Sequence, residues 1–206
     1  MSESNIKPIT MDHVERYGEI YAKAFSGEPW NDPWKTEDAV IHVRELLESK
    51  QSYGLEYVLD GEIAGFLLGT SMLFHYGRMF EINDLAVDPA FQGRGIAKEL
   101  LEKCMADMKE RGIAGLNLIT EAEGFLPEFY ERYGFSREKR DPDGEGIMSN
   151  IPKDPFLLFS FINMQLRDNY ASFEEFCTAN DADPDELIEK LNAAGFEYNA
   201  ELNQFR

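Results

Sequence analysis

The 206-residue chain is poor in several residue types, and each scarcity removes a class of function. It has two cysteines, Cys104 and Cys177, far apart and each at an apolar position of a predicted helix. That excludes a disulfide-stapled fold and predicts buried, reduced thiols in a cytoplasmic protein. Three histidines, His13, His42 and His75, stand isolated with no Cys/His cluster at ligand spacing, so no metal site is expected and each histidine reads as structural or surface. No apolar run approaches the roughly 20 residues of a membrane span. The start, MSESNIKPIT, lacks a basic stretch followed by an apolar one, so neither a signal peptide nor a membrane partner is expected. Basic residues are also scarce. Twenty Lys and Arg against 39 Asp and Glu give a formal net charge of -19, which repels phosphate backbones and argues against a nucleic-acid partner. The same charge suits a cationic acceptor such as an amine, a polyamine, an aminoglycoside or a lysine side chain, and it equally serves plain solubility.

Hydrophobic content of 43% is enough for a real core. Along the chain, Ile6 to Thr10 reads as a short strand. Asp12, with Glu15 in the capping-box position, predicts the start of a helix carrying Val14, Tyr17, Tyr21 and Ala24 on one stripe. SGEPWNDPW (Ser26 to Trp34) breaks it with two prolines and a glycine, and a second helix is predicted from about Thr36 to Ser49. A hairpin follows, with Asp60-Gly61 as its turn, then a strand from Met79 to Val87. A Gly/Pro-rich loop from Asp88 to Gly95 leads into a helix to about Lys109, stopped by Gly112. Leu116 to Thr120 reads as a strand, Pro127 opens a short helix ending at Gly134, and Phe135 begins a further strand. The order predicts a mixed α/β sheet.

The chemistry-bearing stretch is Asp84-Leu-Ala-Val-Asp-Pro-Ala-Phe-Gln-Gly-Arg-Gly-Ile-Ala97. A strand runs into a glycine-rich loop that opens a helix, and such a junction offers unpaired N–H groups at the positive end of the helix dipole, which binds a pyrophosphate. Gly93 and Gly95 allow close backbone approach, and Arg94 adds a charge-assisted hydrogen bond. The stretch lacks the Gly-Lys-Ser/Thr of a Walker loop. A dinucleotide fingerprint would need glycine where Lys98 stands.

Residues 84–101 resemble the acetyl-CoA-binding motif of the GNAT superfamily of N-acetyltransferases, Gln/Arg-x-x-Gly-x-Gly/Ala. Phe129-Tyr-Glu-Arg-Tyr-Gly-Phe135 is similar to that superfamily's Phe-Tyr-x-x-x-Gly-Phe segment, and the hairpin at Asp60–Gly65 resembles its second and third strands. Together they cover about residues 5–140. The resemblance implies a GNAT-type mixed, mostly antiparallel central sheet flanked by helices. It implies acetyl-CoA as co-substrate, with no metal, and a primary amine as acceptor, attacking the thioester directly. It further implies that Leu85, Ala86 and Val87 pair with the pantetheine arm, with an N–H near Leu85 or Val87 polarising the thioester carbonyl. Gln92, Gly93, Arg94, Gly95, Ile96 and Ala97 would hold the pyrophosphate, and Tyr130 would protonate the departing thiolate, with Tyr133 as a competitor for that role. Glu81 is the candidate general base, against water alone or Asp84. By strand alternation Glu81 shares a face with Asn83, and Asp84 points the other way. Glu28, Trp30 and Trp34 are candidate acceptor-binding residues, or a plug at the domain edge. Glu123 and Leu126 depart from the residues common in the approach to the Tyr130 helix, and GNAT proteins often form homodimers.

At Asp141–Glu145, DPDGE reads as a boundary, dividing the chain into a GNAT domain at 1–148 and a small helical domain at 149–206. In the latter, Asp154-Pro155, Ser172 with Glu175, and Asp183-Pro184 with Glu186 predict three capped helices, with Gly195 closing the last. Phe156, Leu157, Leu158, Phe159, Phe161 and Ile162 must bury within the unit, against the sheet or in a dimer. Residues 151–206 resemble a short bacterial domain-of-unknown-function family that also occurs alone. Four Lys/Arg against eleven Asp/Glu in this unit argue against DNA binding. The alternative to an enzyme is a GNAT-fold module that senses CoA or contacts another protein.

Overall fold

The computed structural model describes residues 5–74, 77–121, 123–140, 146–150, 155–180 and 182–206. His75, the DPDGE boundary and the Asp154 cap lie outside these residues. Two compact units are present, Met1–Met72 with Phe80–Gly112, and Leu73–Met79 with Ile113–Arg206.

The elements of the first unit are β1 (Ile6–Pro8), α1 (Val14–Phe25), α2 (Thr36–Glu48), β2 (Ser52–Leu59), β3 (Glu62–Phe74), most of β4 (Gly77–Val87) and α3 (Ile96–Glu110). The strands run in the spatial order β1-β2-β3-β4, with β1/β2 and β2/β3 antiparallel. Asp60 (φ 53°) and Gly61 (φ 85°) both sit in the left-handed region that a tight two-residue hairpin requires. α1 and α2 cover one face of the sheet, burying Tyr17, Ile20, Tyr21, Ala39, Val40 and Val43 against Phe66, Leu68 and Ala86. α3 covers the other face, where the Tyr57 hydroxyl donates to Glu99 and the Tyr53 hydroxyl to Asp107.

α1 does not begin as expected. Thr10 is extended, Met11–His13 form a 3-10 turn, and Asp12 lies inside that turn without capping a helix. The Thr10 N–H donates to the Tyr17 hydroxyl, one turn into α1.

The second unit holds β5 (Gly115–Thr120), α4 (Phe125–Glu131), β6 (Phe135–Arg140), β7 (Gly146–Asn150), α5 (Pro155–Asp168), α6 (Phe173–Ala179), α7 (Pro184–Ala193) and a hairpin of β8 (Tyr198–Asn199) and β9 (Gln204–Phe205). Its strands run in the order β5-β7-β6, both pairs antiparallel. α4 opens two residues before Pro127, which occupies the first turn, where its missing N–H costs nothing. The Leu126 N–H is taken up by the Glu121 carboxylate at 3.3 Å. The caps on α6 and α7 form as expected. Ser172 accepts from the Glu175 N–H, and Asp183 accepts from the N–H groups of Asp185 and Glu186. Leu158, Phe161 and Ile162 bury in the unit's own core with Leu166, Phe173, Phe176, Leu191 and Phe205. The side chains of Phe156 and Leu157 lie outside the described set. Strands β8 and β9 are additions to the expected helical tail, and β7, at the expected domain boundary, is a strand the sequence did not announce. Asn203, at φ 49°, closes the β8–β9 hairpin and donates to the Leu166 and Tyr170 carbonyls, which pins it to α5.

Both cysteines are free and buried, as read from the sequence. Burial pushes the Cys104 thiol up to about 12 and the Cys177 thiol up to about 11, so both stay protonated and unreactive. Among the described residues no helix is long and apolar enough to cross a membrane.

Gly18 is where α1 and α2 touch. A Cβ there would lie 2.8 Å from the Val40 Cα and 2.3 Å from its Cγ2. Alanine is the better helix former by about 1 kcal/mol, yet backbone cannot move aside cheaply. Gly18→Ala is therefore expected to destabilise the protein by about 1–3 kcal/mol, read as a lower thermal midpoint with unchanged helix content.

Candidate functional site

Strand β4 ends at Val87, and the chain reaches α3 through Asp88, a 3-10 turn at Pro89–Phe91, and Gln92–Gly95. Asp88 fixes this exit. Its N–H donates to the Ala64 carbonyl of β3 (2.9 Å), and its buried carboxylate accepts from the Ala90 N–H (3.1 Å), Arg16 (2.9 Å) and Lys23 (3.2 Å). Burial opposes the charge, but the Ala90 N–H, Lys23 and Arg16 together outweigh it and hold the carboxyl below the usual aspartate range. The Gln92 amide reaches back to the Val87 carbonyl (3.3 Å), and the Arg94 guanidinium lies over the Phe91 ring at 5.4 Å.

The loop has the shape of an anion cradle. Gly93 (φ 75°) and Gly95 (φ 82°) are left-handed, and a Cβ at either would meet nothing within 4 Å. No side chain caps α3. The first bond inside the helix runs from the Glu99 N–H to the Gly95 carbonyl, so the amides before it have no partner within the helix. At the end of a 15-residue helix these amides and the dipole favour an anionic ligand. The residues expected to hold a pyrophosphate, Gln92 to Ala97, therefore fit one.

The faces of β4 correct the alternation argument. Phe80 packs edge-on to Tyr53 and over Gly69, on the α3 face. Asn83 accepts from the Thr70 hydroxyl (3.0 Å), on the opposite face. Asp84, the next residue, meets His42 of α2, and Ala86 lies in the α1/α2 core. Consecutive residues 83 and 84 thus both present to the α1/α2 side, which breaks the period of two as a bulge does. Asp84 joins Glu81 and Asn83 on that side, while Leu85 and Val87 face α3.

Nor are the described histidines isolated. His42 Nε2 lies 3.1 Å from the buried Asp84 carboxylate, and His13 Nδ1 lies 2.9 Å from Glu56, which also accepts from the Tyr17 hydroxyl at 2.5 Å. Residue types alone could not reveal these pairs, because their partners are 42 and 43 positions away. Trp34 packs half-buried on Tyr21 (4.9 Å) and His42 (5.6 Å), and Trp30 packs on Phe25 (5.8 Å). Glu28 is exposed. A cavity of about 700 Å³ opens beside the Asp88 turn, lined by Lys7, His13, Arg16, Glu56, Asp88 and Phe91 among others, and includes neither Glu81 nor Trp34.

Tyr130 belongs to the second unit. It is almost fully buried, with Phe129 and Phe135 edge-on to its ring at 5.1 and 5.7 Å. Burial pushes its phenol above the ordinary tyrosine range, so the hydroxyl stays protonated. Tyr133 lies beyond the end of α4 and packs on Phe129 at 5.2 Å.

Residues 14–135, over half of the chain, match the model of the acetyltransferase (GNAT) family. The chain belongs to the GNAT acetyltransferase family. Residues 152–205 match a domain of unknown function, DUF4250, so this GNAT protein carries the expected C-terminal fusion. It is similar to the N-alpha-acetyltransferase RimI of Mycobacterium tuberculosis, 29% identical over 136 residues, covering 64% of this chain and 78% of that protein. It is also 28% identical over 139 residues to an uncharacterized N-acetyltransferase of Methanocaldococcus jannaschii, covering 65% of this chain and 61% of that protein. Among solved structures, the PaiA N-acetyltransferase of Thermoplasma acidophilum, in complex with coenzyme A, matches with a TM-score of 0.57 at 19% identity, covering 70% of this chain and 96% of that one. The ribosomal-protein-S18-alanine N-acetyltransferase of Escherichia coli matches with a TM-score of 0.54 at 20% identity, covering 70% and 91%. These likenesses show the GNAT fold, a mixed and mostly antiparallel sheet flanked by helices.

Asp88→Asn is expected to lower stability by about 2 kcal/mol at neutral pH, the scale of hydrogen bonds to a charged group. Because the folded carboxyl titrates below its unfolded value of about 3.9, its contribution is complete well above that pH and is lost as the pH falls through the folded value. Thermal midpoints of wild type and Asp88→Asn should therefore differ at pH 7 and converge below about pH 4.

Proposed function

We propose that this GNAT protein is an acetyl-CoA-dependent N-acetyltransferase that moves an acetyl group to a primary amine. The observation that carries the reading is the open, doubly left-handed Gly93-Arg94-Gly95 turn at the uncapped start of α3, on the connection from β4. Acetyl-CoA supplies the activated acyl group as a thioester. Gln92 to Ala97 hold its pyrophosphate through backbone N–H groups and Arg94, and Leu85, Ala86 and Val87 pair with its pantetheine arm. A backbone N–H at Leu85 or Val87 stabilises the charge that develops on the carbonyl oxygen. Tyr130, kept protonated by burial, donates a proton to the leaving thiolate.

The acceptor side is assigned to the α1/α2 face of β4. There Glu81 attracts the ammonium, and Trp30 and Trp34 with Glu28 flank its approach. The net charge of -19 favours a cationic acceptor, either a small amine or a protein amine. The names of RimI and of the S18-alanine enzyme favour a protein N-terminus among these. The reading divides the chain into a catalytic domain at about 1–148 and the small domain at 149–206.

Release of CoA thiol from acetyl-CoA, measured across a panel of small amines and peptides, tests the proposal. Release should depend on one acceptor class, and Tyr130→Phe should lower kcat about 10²-fold or more, with little change in acetyl-CoA affinity. Binding of acetyl-CoA without release from any amine would instead support a sensor.

A further inference from the structure

We infer that His42, oriented by Asp84, is the base that takes the proton from the acceptor's ammonium group; this rests on the transferase reading above. Asp84 is 3% exposed, two residues before Ala86 of the α1/α2 core. A carboxylate in that position is costly unless it is paired. Its hydrogen-bond partner among the described residues is His42, with Nε2 at 3.1 and 3.4 Å from the two carboxylate oxygens. Burial pushes the Asp84 carboxyl up, and the hydrogen bond and charge of His42 pull it back. Ionised by that pairing it can only accept, so on Nε2 it holds the ring proton there and leaves the lone pair on Nδ1. Nδ1 takes no hydrogen bond from the described residues, and the side chain is one-third exposed. A carboxylate that fixes one ring nitrogen while the other is left free is the arrangement that orients a general base.

Placement points the same way. Asp84 directly precedes Leu85, one of the two residues whose N–H is assigned to the thioester carbonyl. The break in alternation brings Asp84 onto the face that carries Glu81 and Asn83, and with it His42. Tyr21 (4.8 Å) and Trp34 (5.6 Å) flank the imidazole with aromatic surface that suits an approaching ammonium. The titratable and charged groups facing His42 are Asp84 from β4, Tyr21 from α1 and Glu45 from its own helix, with Asp32 acting on Tyr21. The hydrogen bond to Asp84 comes first among the influences on His42, and it raises the imidazole above its ordinary value against the opposing pull of burial. An imidazole, ordinarily near 6.5, is as a class a better acceptor for an ammonium proton near neutral pH than a glutamate near 4.3.

In the step, neutral His42 Nδ1 takes one proton from the ammonium, and the imidazolium formed is paired with Asp84. The freed amine lone pair forms the N–C bond to the thioester carbonyl carbon as the C–S bond breaks. A second amine proton balances the departing thiolate as thiol, and the imidazolium returns its proton to water.

The test uses the full chain and the acceptor found in the thiol-release panel. The pH dependence of kcat/KM is measured for wild type, His42→Gln, Asp84→Asn and Glu81→Gln, with exogenous imidazole added to His42→Ala. The His42 ring is titrated separately by NMR in wild type and Asp84→Asn. His42→Gln should lose the acidic limb and fall about 10²-fold or more in kcat, with the acetyl-CoA KM kept, which also reports an intact fold. Asp84→Asn should move that limb, and the NMR titration of His42, to lower pH. Imidazole should restore part of the His42→Ala rate. A wild-type profile and rate in His42→Gln, with the loss appearing in Glu81→Gln, would overturn the role of His42 while leaving the transferase reading intact. No thiol release by wild type with any amine would remove that reading and the role together, and a His42 titration indifferent to Asp84→Asn would refute the pairing itself.

Discussion

Where β4 leaves the sheet, the buried carboxylate of Asp88 gathers one backbone N–H from its own turn and two cations from α1, while its own N–H holds the β3 carbonyl of Ala64. An unpaired charge at 4% exposure would cost several kcal/mol, so the chain's path at this point is strongly specified. From that fixed exit the backbone has only Gln92 to Gly95 before α3 begins, and the two left-handed glycines bring it round with the helix amides open. Gly65 completes the constraint. A Cβ there would lie 2.8 Å from the Ala86 carbonyl and 3.3 Å from Ile96, so β3, β4 and the first residue of α3 meet at a position with no room for a side chain.

The same strand serves two faces because it is irregular. A regular β4 would send Asp84 to the α3 side, away from α2. The break after Asn83 instead aligns Glu81, Asn83, Asp84 and, through it, His42 toward α1 and α2, while Leu85 and Val87 face α3. In the proposed reading, one strand thereby offers backbone to the thioester and a row of polar side chains to the acceptor. This is a use of bulges that re-aims side chains at functional sites.

Much of this was legible in the sequence because it rests on local rules. Asp60-Gly61 demands a tight hairpin, Ser172 and Asp183 announce their helices, and the Gly-Arg-Gly run after an apolar strand marks the left-handed turn that opens α3. What escaped reading depends on residues distant in sequence. Asp12 caps no helix because a 3-10 turn over Met11–His13 precedes α1 and contains it, and His42 reads as isolated because Asp84 stands 42 positions away. The bulge in β4 left no glycine or proline to betray it. The two-residue strands β8 and β9 are too short for any alternation to register.

In the proposed reading, the turn from β4 into α3 grips the diphosphate of acetyl-CoA. Titrating CoA into isotope-labelled protein and following backbone amide shifts tests it most directly. The largest changes should fall on Gly93 to Ala97, with a second set on Leu85 to Val87. Changes confined to the cavity bounded by Lys7, His13 and Glu62, or no saturable change at these amides, would contradict it.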